Sequence, residues 1–221
     1  MNQNLDFRSY KYKSEHEHYW NDRNFVLGMV KKCGLFLRHA SRKFQNDEEI
    51  VLEAFTNNKY SLIYASCRLK DNKNFMLKAM KISGVALEYA PYFLCNDKEI
   101  VLNAVKNYAF ALEQASRRLK NDKEIVLESV KRHGKSLKYA SEGLKNDKDI
   151  ILVAIKNYGY SLKYTGTKYR NDKKMIIIAL KSSKSIDYSK FKLHGNKFNH
   201  DVFYGFCIFK NLPFIDILKY F

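Results

Sequence analysis

With 221 residues, 46% of them apolar, and only two prolines, the chain has enough apolar material for a continuous core and no polar tract long enough for a flexible linker. The longest aliphatic run, Met175 to Leu180, is far too short to span a bilayer, and Met1 to Lys13 holds charges without the apolar stretch of a secretory signal. A formal net charge of +17 directs attention to acidic partners, and no membrane is expected among them.

Residues 1–20 are polar and aromatic, end in the single tryptophan, Trp20, and are expected to form an N-terminal cap. From there the sequence repeats. Asn-Asp or Asp-Asn pairs open at Asn21, Asn46, Asp71, Asn96, Asn121, Asn146 and Asn171, each 25 residues after the last (46 − 21 = 25). Self-similarity at one fixed period is the signature of a stacked array. The expected fold is an all-α solenoid of seven helical-hairpin repeats: 21–45, 46–70, 71–95, 96–120, 121–145, 146–170 and 171–188, in one elongated domain. An aromatic-rich stretch, 189–221, is expected to close the C-terminal end as a cap, with an exposed aromatic interface as the alternative.

Within a repeat numbered 1 to 25, Asn at position 1 followed by an acid at position 4 (Glu49, Glu99, Glu124, Asp149) resembles a capping box. Positions 5, 6, 7, 9 and 10 read as in Ile100, Val101, Leu102, Ala104 and Val105, an arc of about 200° on a helix. So wide a stripe must be covered on both sides, and Leu52, Leu77, Leu102, Leu127 and Leu152 are expected in equivalent buried sites. Glycine at position 14 (Gly34, Gly84, Gly134, Gly159) suits the left-handed residue that ends a helix. The first helix is therefore expected over positions 2 to 13. Leucine at 17, alanine at 20 and leucine at 24 have helical spacing. Pro91 at position 21 sets the limit of a short second helix, 15 to 20, followed by a tight turn.

The consensus carried by Asn121–Lys145 and its copies, Asn-Asp-Lys-Glu-Ile-Val-Leu-x-Ala-Val-Lys-x-x-Gly-x-x-Leu-x-Tyr-Ala-Ser-x-x-Leu-Lys, resembles the repeat of the family known as domain of unknown function 4116, over about residues 21–183. The resemblance implies tandem helical repeats and carries no activity with it. Asp71-Asn72, Lys59, Ala109 and Pro91 depart from the pattern at turns and leave the core positions intact.

Catalytic signatures are missing from the sequence: there is no phosphate-cradling glycine loop, no nucleophile elbow and no His-Glu-x-x-His. His16-Glu17-His18 offers two imidazoles without a third ligand, and the four cysteines (Cys33, Cys67, Cys95, Cys207) lack metal-type spacing. The expectation is a protein that is not an enzyme and needs no cofactor, metal or small-molecule substrate. Free thiols suggest a reducing intracellular compartment, cytoplasmic or nuclear.

The charge is uneven: residues 21–45 carry six Lys/Arg against one acid (+5), 46–70 three against four (−1), and 96–195 twenty-two against eleven (+11). Two columns recur, at position 3 (Arg23, Lys73, Lys98, Lys123, Lys148, Lys173) and at position 11 (Lys31, Lys81, Lys106, Lys131, Lys156, Lys181). A cation near a helix C-terminus complements the helix dipole, which accounts for position 11 without any partner. The surplus lies elsewhere: Arg117, Arg118, Arg132, Lys135, Lys138, Lys163 and Lys168 form the expected basic stripe, with Lys106, Lys131, Lys156, Tyr139 and Tyr164 as secondary candidates. The tyrosines could stack bases or simply pack between repeats. The expected role is a scaffold that binds an acidic protein, or the protein face of a nucleoprotein, and acts as adaptor or inhibitor by occupancy. Direct binding of RNA or DNA is the alternative.

Overall fold

The computed structural model describes residues 18–182, and among these every regular element is helical. It divides into two compact units, Met1–Ser116 and Arg117–Phe221, so the boundary falls inside the fourth repeat, where the sequence reading had one domain. The first unit holds repeats 1 to 3 and most of repeat 4. The second holds the last turn of repeat 4, repeats 5 and 6, and the start of repeat 7. The two expected caps, 1–17 of the first and 189–221 of the second, lie outside the described residues, as do His16 and Glu17; Trp20 is buried, its ring edge-on to Phe25 at 5.3 Å.

Each of repeats 1 to 6 contains three helical pieces. The long α-helices are Arg23–Lys32, Glu48–Asn57, Lys73–Ile82, Lys98–Asn107, Lys123–Arg132, Lys148–Asn157 and Lys173–Ser182, all covering positions 3 to 12. A six-residue 3-10 helix follows at positions 14 to 19: Gly34–His39, Lys59–Tyr64, Gly84–Tyr89, Ala109–Gln114, Gly134–Tyr139 and Gly159–Tyr164. A four-residue helical turn then occupies positions 22 to 25 in repeats 1 to 4 and 6, as in Cys67–Lys70, Tyr92–Cys95, Arg117–Lys120 and Thr167–Arg170, where the sequence pointed to a plain turn; repeat 5 has the three-residue 3-10 turn Leu144–Asn146 instead. The second arm is 3-10 because leucine 17 and alanine 20 are three apart, and residues three apart eclipse on a 3-10 helix. Pro91 fits the start of a helical turn because it is the N-cap of Tyr92–Cys95, although it cannot donate the backbone N–H that serine at this position gives to the preceding repeat.

The helix cap sits one residue later than the sequence suggested. At position 2, Asp22, Asp47, Asn72, Asp97, Asp122, Asp147 and Asp172 each accept the amide of position 5, at 2.7 to 3.2 Å. The exchange at Asp71-Asn72 is therefore silent, since Asn caps as well as Asp. The position-1 asparagine has a different task. Asn46, Asn96 and Asn121 each accept the hydroxyl of the position-21 serine of their own repeat, Ser66, Ser116 and Ser141, at 2.6 to 2.7 Å. The same serines donate their backbone N–H to the last carbonyl of the preceding repeat: Gln45, Cys95 and Lys120. One short segment thus closes its own repeat and ties it to the one before. In repeat 6 the position is Gly166, and a Cβ there would lie 1.9 Å from Asn146 Oδ1.

Positions 5, 6, 9 and 10 are buried in every complete long helix except at Phe25, which is half-buried; Ile100, Val101, Ala104 and Val105 are all at 0% exposure. These four span only about 140° of arc. Leu52, Leu77, Leu102, Leu127 and Leu152 at position 7 are equivalent to one another but half-buried, 60° or so beyond the edge of that face. The rest of the core comes from the second arm, with Leu37, Leu62, Leu87, Leu112 and Leu137 at 0 to 1% exposure. Beside them, position 16 is a small, fully enclosed residue in repeats 2 to 6 (Ser61, Ala86, Ala111, Ser136, Ser161).

The stacking has a period of two repeats. None of Gly34, Gly84 and Gly134 adopts a left-handed conformation; each is a glycine because the next repeat's helix approaches too closely for a side chain. A Cβ on Gly34 would lie 2.1 Å from the carbonyl oxygen of Ala54, and on Gly84 or Gly134 it would lie 2.2 Å from that of Ala104 or Ala154. A position-12 asparagine of the following repeat fastens the same contact from both sides. Asn57 Oδ1 accepts the Gly34 N–H at 2.7 Å while its Nδ2 donates to the Lys31 carbonyl at 2.8 Å. Asn107 does the same for Gly84 and Lys81, and Asn157 for Gly134 and Lys131. In these three pairs the position-14 glycine belongs to the odd repeat and the position-12 asparagine to the even one; Gly159, in the sixth repeat, is the position-14 glycine outside this pattern. Lys59, which looked like a departure, has an exposed side chain, so the second repeat does not need glycine at this position.

Candidate binding face of the second unit

Ion pairing separates the cations into two groups. The position-3 cations of odd repeats are rungs within the repeat pairs. Arg23 reaches Glu49 at 2.5 Å and Asp47 at 3.6 Å, Lys73 holds Asp97 and Glu99 at 2.8 Å each, and Lys123 holds Asp147 at 2.7 Å and Asp149 at 3.2 Å. The position-4 acids, expected to cap helices, serve here. The hydrogen bond from Lys123, helped by the Ile150 and Asp149 amides against a burial penalty, lowers the Asp147 pKa below the ordinary carboxylate range. These charges have a structural use within the pair.

The proposed stripe residues lie elsewhere. Arg117 and Arg118 are exposed on the short helix Arg117–Lys120. Arg132, the last residue of its long helix, is exposed and 3.6 Å from Glu128 one turn earlier. Lys135 and Lys138 belong to the 3-10 helix Gly134–Tyr139, Lys163 to Gly159–Tyr164, and Lys168 to the short helix Thr167–Arg170; Lys135 and Lys168 are exposed and the other two half-buried. Among the described residues, no carboxylate lies within ion-pair distance of Arg117, Lys135, Lys163 or Lys168. Lys131 and Lys156 are exposed in the last turns of their long helices, as the dipole account requires, and Lys106 holds the same place in the first unit. These cations therefore fall into two groups: those at the ends of long helices, and those on the 3-10 and short-helix arm.

Tyr139 and Tyr164 are half-buried, and their ring faces carry ammonium groups. Lys138 Nζ sits 4.1 Å from the Tyr139 centroid, and Lys163 Nζ is 4.1 Å from that of Tyr160 and 4.8 Å from that of Tyr164. Lys163 also donates a hydrogen bond to the Tyr160 hydroxyl at 3.0 Å. Burial works against its charged form, but the bonds to Tyr160 and Tyr164 outweigh that and raise its pKa above the ordinary lysine value. Tyr160 was not singled out from the sequence. Its signal is the spacing of three to Lys163, which becomes a contact once the arm is read as 3-10.

His18 is exposed, and among the described residues no group of three or more His, Cys, Asp or Glu side chains is placed to hold a metal ion. Nor is any described helix long and apolar enough to cross a membrane.

No curated protein and no solved structure matches the chain. A family model, that of the domain of unknown function DUF4116, matches residues 22–70, 72–120, 122–170 and 147–193. The first three matches start 50 residues apart (72 − 22 = 50), and each spans one of the clamped odd–even pairs. The fourth overlaps the third and starts on an even repeat. With matches running together from residue 22 to 193, the chain belongs to the DUF4116 family.

Proposed function

We propose that the chain is a non-catalytic binding module whose second unit engages an acidic protein surface, or the protein face of a nucleoprotein, through the arm that carries Arg117, Arg118, Lys135, Lys138, Lys163 and Lys168, with Arg132 at its joint. Acting by occupancy, it would serve as an adaptor or inhibitor. The observation that carries the reading is the division of the cations: Arg23, Lys73 and Lys123, at position 3 of the odd repeats, are paired with carboxylates within the repeat pairs, whereas Arg117, Lys135, Lys163 and Lys168 have no carboxylate in reach among the described residues. Desolvation of such charges is favourable only against a complementary surface. Direct RNA or DNA binding is the second reading and draws on the same charge. The tyrosines favour it less, because lysines already lie over the rings of Tyr139, Tyr160 and Tyr164 on which bases would stack.

Affinity capture with the whole chain, with and without nuclease, tests both. A partner retained after nuclease and lost when Arg117, Arg118 and Arg132 are together changed to Glu supports the proposal. Capture abolished by nuclease, with a log–log salt slope near −0.7 to −0.9 per phosphate contacted, would transfer the function to nucleic acid. Binding indifferent to the triple reversal overturns both.

A further inference from the structure

Repeats 2 and 3, residues 46–95, carry six Lys/Arg (Lys59, Arg68, Lys70, Lys73, Lys78, Lys81) and six acids (Asp47, Glu48, Glu49, Glu53, Asp71, Glu88), a net charge of zero in a chain of +17. This neutral stretch is where large apolar side chains stand in solvent. Tyr60 is 68% exposed, Ile63 57%, Tyr92 75% and Phe93 58%. Tyr60 and Ile63, three apart on the 3-10 helix Lys59–Tyr64, share one edge of it. That helix packs against the next 3-10 helix, Gly84–Tyr89. Burial, the Glu88 carboxylate and the Tyr60 phenol together raise the pKa of the half-buried Tyr89, which places Tyr60 within electrostatic reach of it. Tyr92 and Phe93 follow on the adjoining short helix, Tyr92–Cys95. Position 15, held by Tyr60, is apolar in most repeats, but Ile63 stands at position 18, where the others carry Arg38, Glu88, Glu113, Lys138 and Lys163, and Tyr92 and Phe93 stand where repeat 5 has Glu142 and Gly143, so the apolar character of these three is particular to this place.

We propose that this face of the first unit is where two copies of the chain associate. A strongly cationic chain repels its own copy wherever its net charge is exposed, and approach is least opposed where the charge vanishes. An acidic partner would gain nothing from a surface of zero net charge and would settle on the basic arms. The exposed polar residues of the same arms are self-complementary: Lys59 and Arg68 offer cations and Glu88 an acid, as a two-fold contact requires. Three aromatics, each able to bury on the order of 150–250 Å², give a patch of several hundred Å² per copy. That falls short of the roughly 800 Å² per partner of a standard stable interface, so the dimer is a weak one, with a dissociation constant of micromolar order.

Sedimentation velocity on the whole chain over roughly 1 to 300 µM, a range chosen to bracket a micromolar constant, is the test. The expected result is a monomer–dimer equilibrium that tightens as salt is raised, because screening removes the +17 repulsion and leaves apolar burial intact. Binding of an acidic partner by the second unit weakens under the same change, so the two ideas fail separately. Changing Tyr92 and Phe93 together to Ser should weaken the dimer about tenfold or more. Ile63→Lys, on a different element, should act in the same direction, which guards against a folding defect in either variant. Reversal of Arg117, Arg118 and Arg132 to Glu should not weaken it. A chain that stays monomeric throughout, including one whose patch takes a different protein, overturns the proposal. So does a dimer indifferent to the substitutions at 63, 92 and 93.

Discussion

Replacing Gly84 by Ala tests the paired stacking most directly. The added Cβ would lie 2.2 Å from the carbonyl oxygen of Ala104, 2.8 Å from the Cβ of Tyr108 and 2.9 Å from the Tyr108 amide nitrogen. Two of these are main-chain atoms of the next repeat, and no rotamer change relieves them. The fourth repeat's helix would have to move by about an ångström, pulling Asn107 from its bonds to Gly84 and Lys81. Overpacking of this kind costs about 1–3 kcal/mol and occasionally more, and a clash with main-chain atoms belongs at the upper end. Gly28 is the internal control. It lies inside the long helix Arg23–Lys32 with nothing within 4 Å of an added Cβ, so Gly28→Ala should stabilise by about 0.5–1 kcal/mol. Urea unfolding followed by circular dichroism measures both. Gly84→Asn then separates the present explanation from a left-handed cap. Asn tolerates left-handed backbone better than Ala, but its larger side chain is worse where space is the limit. An Asn variant more stable than the Ala variant, or an Ala variant within about 0.5 kcal/mol of wild type, a shift typical of inconsequential surface changes, would refute the close-approach account.

Other outcomes follow from the same geometry. Ile125→Ala, at a fully buried site, should cost about 2–5 kcal/mol, whereas Leu127→Ala at the half-buried position 7 should cost under about 2, measured in the same denaturant titration. Asn57→Ala removes both bonds of one clamp and should cost about 1–3 kcal/mol. Asn57→Asp should rescue little, because a carboxylate cannot donate to the Lys31 carbonyl. The Asp147 pKa is lowered on folding, chiefly by Lys123, so its contribution is complete above the ordinary value of 3.8 and is lost as pH falls through the lower folded value. Lys123→Met should lower the neutral plateau of urea midpoints slightly, since exposed pairs contribute little, and shrink the acid limb by the same amount.

How far the fold could be read from the sequence depended on whether one residue's identity could report one physical role. The 25-residue period, the all-helical class and the buried leucine at position 17 were legible, because burial demands apolar side chains at fixed spacing and every copy repeats the demand. Leu62 and Leu112 at 0% exposure show it. Roles that several structures share were not legible. Asparagine followed by aspartate suits a cap at either residue, and only the chain path assigned Asp47 to the helix and Asn46 to Ser66. A glycine reports that a side chain is unwelcome and not why. At Gly34 the reason is the Ala54 carbonyl of the next repeat, held close by Asn57, which lies 23 residues after Gly34 and 26 after Lys31, and visible only once the repeats are stacked. The candidate site divides in the same way. Composition revealed a surplus of cations in repeats 4 to 6, since net charge is additive along a chain. Which of them are consumed was decided by tertiary structure: Lys123 and Lys135 are the same charge in the sequence, but one stands between Asp147 and Asp149 while no carboxylate is in reach of the other among the described residues. Ion pairs form across 24 to 26 residues of chain, a distance at which neither composition nor local spacing carries information.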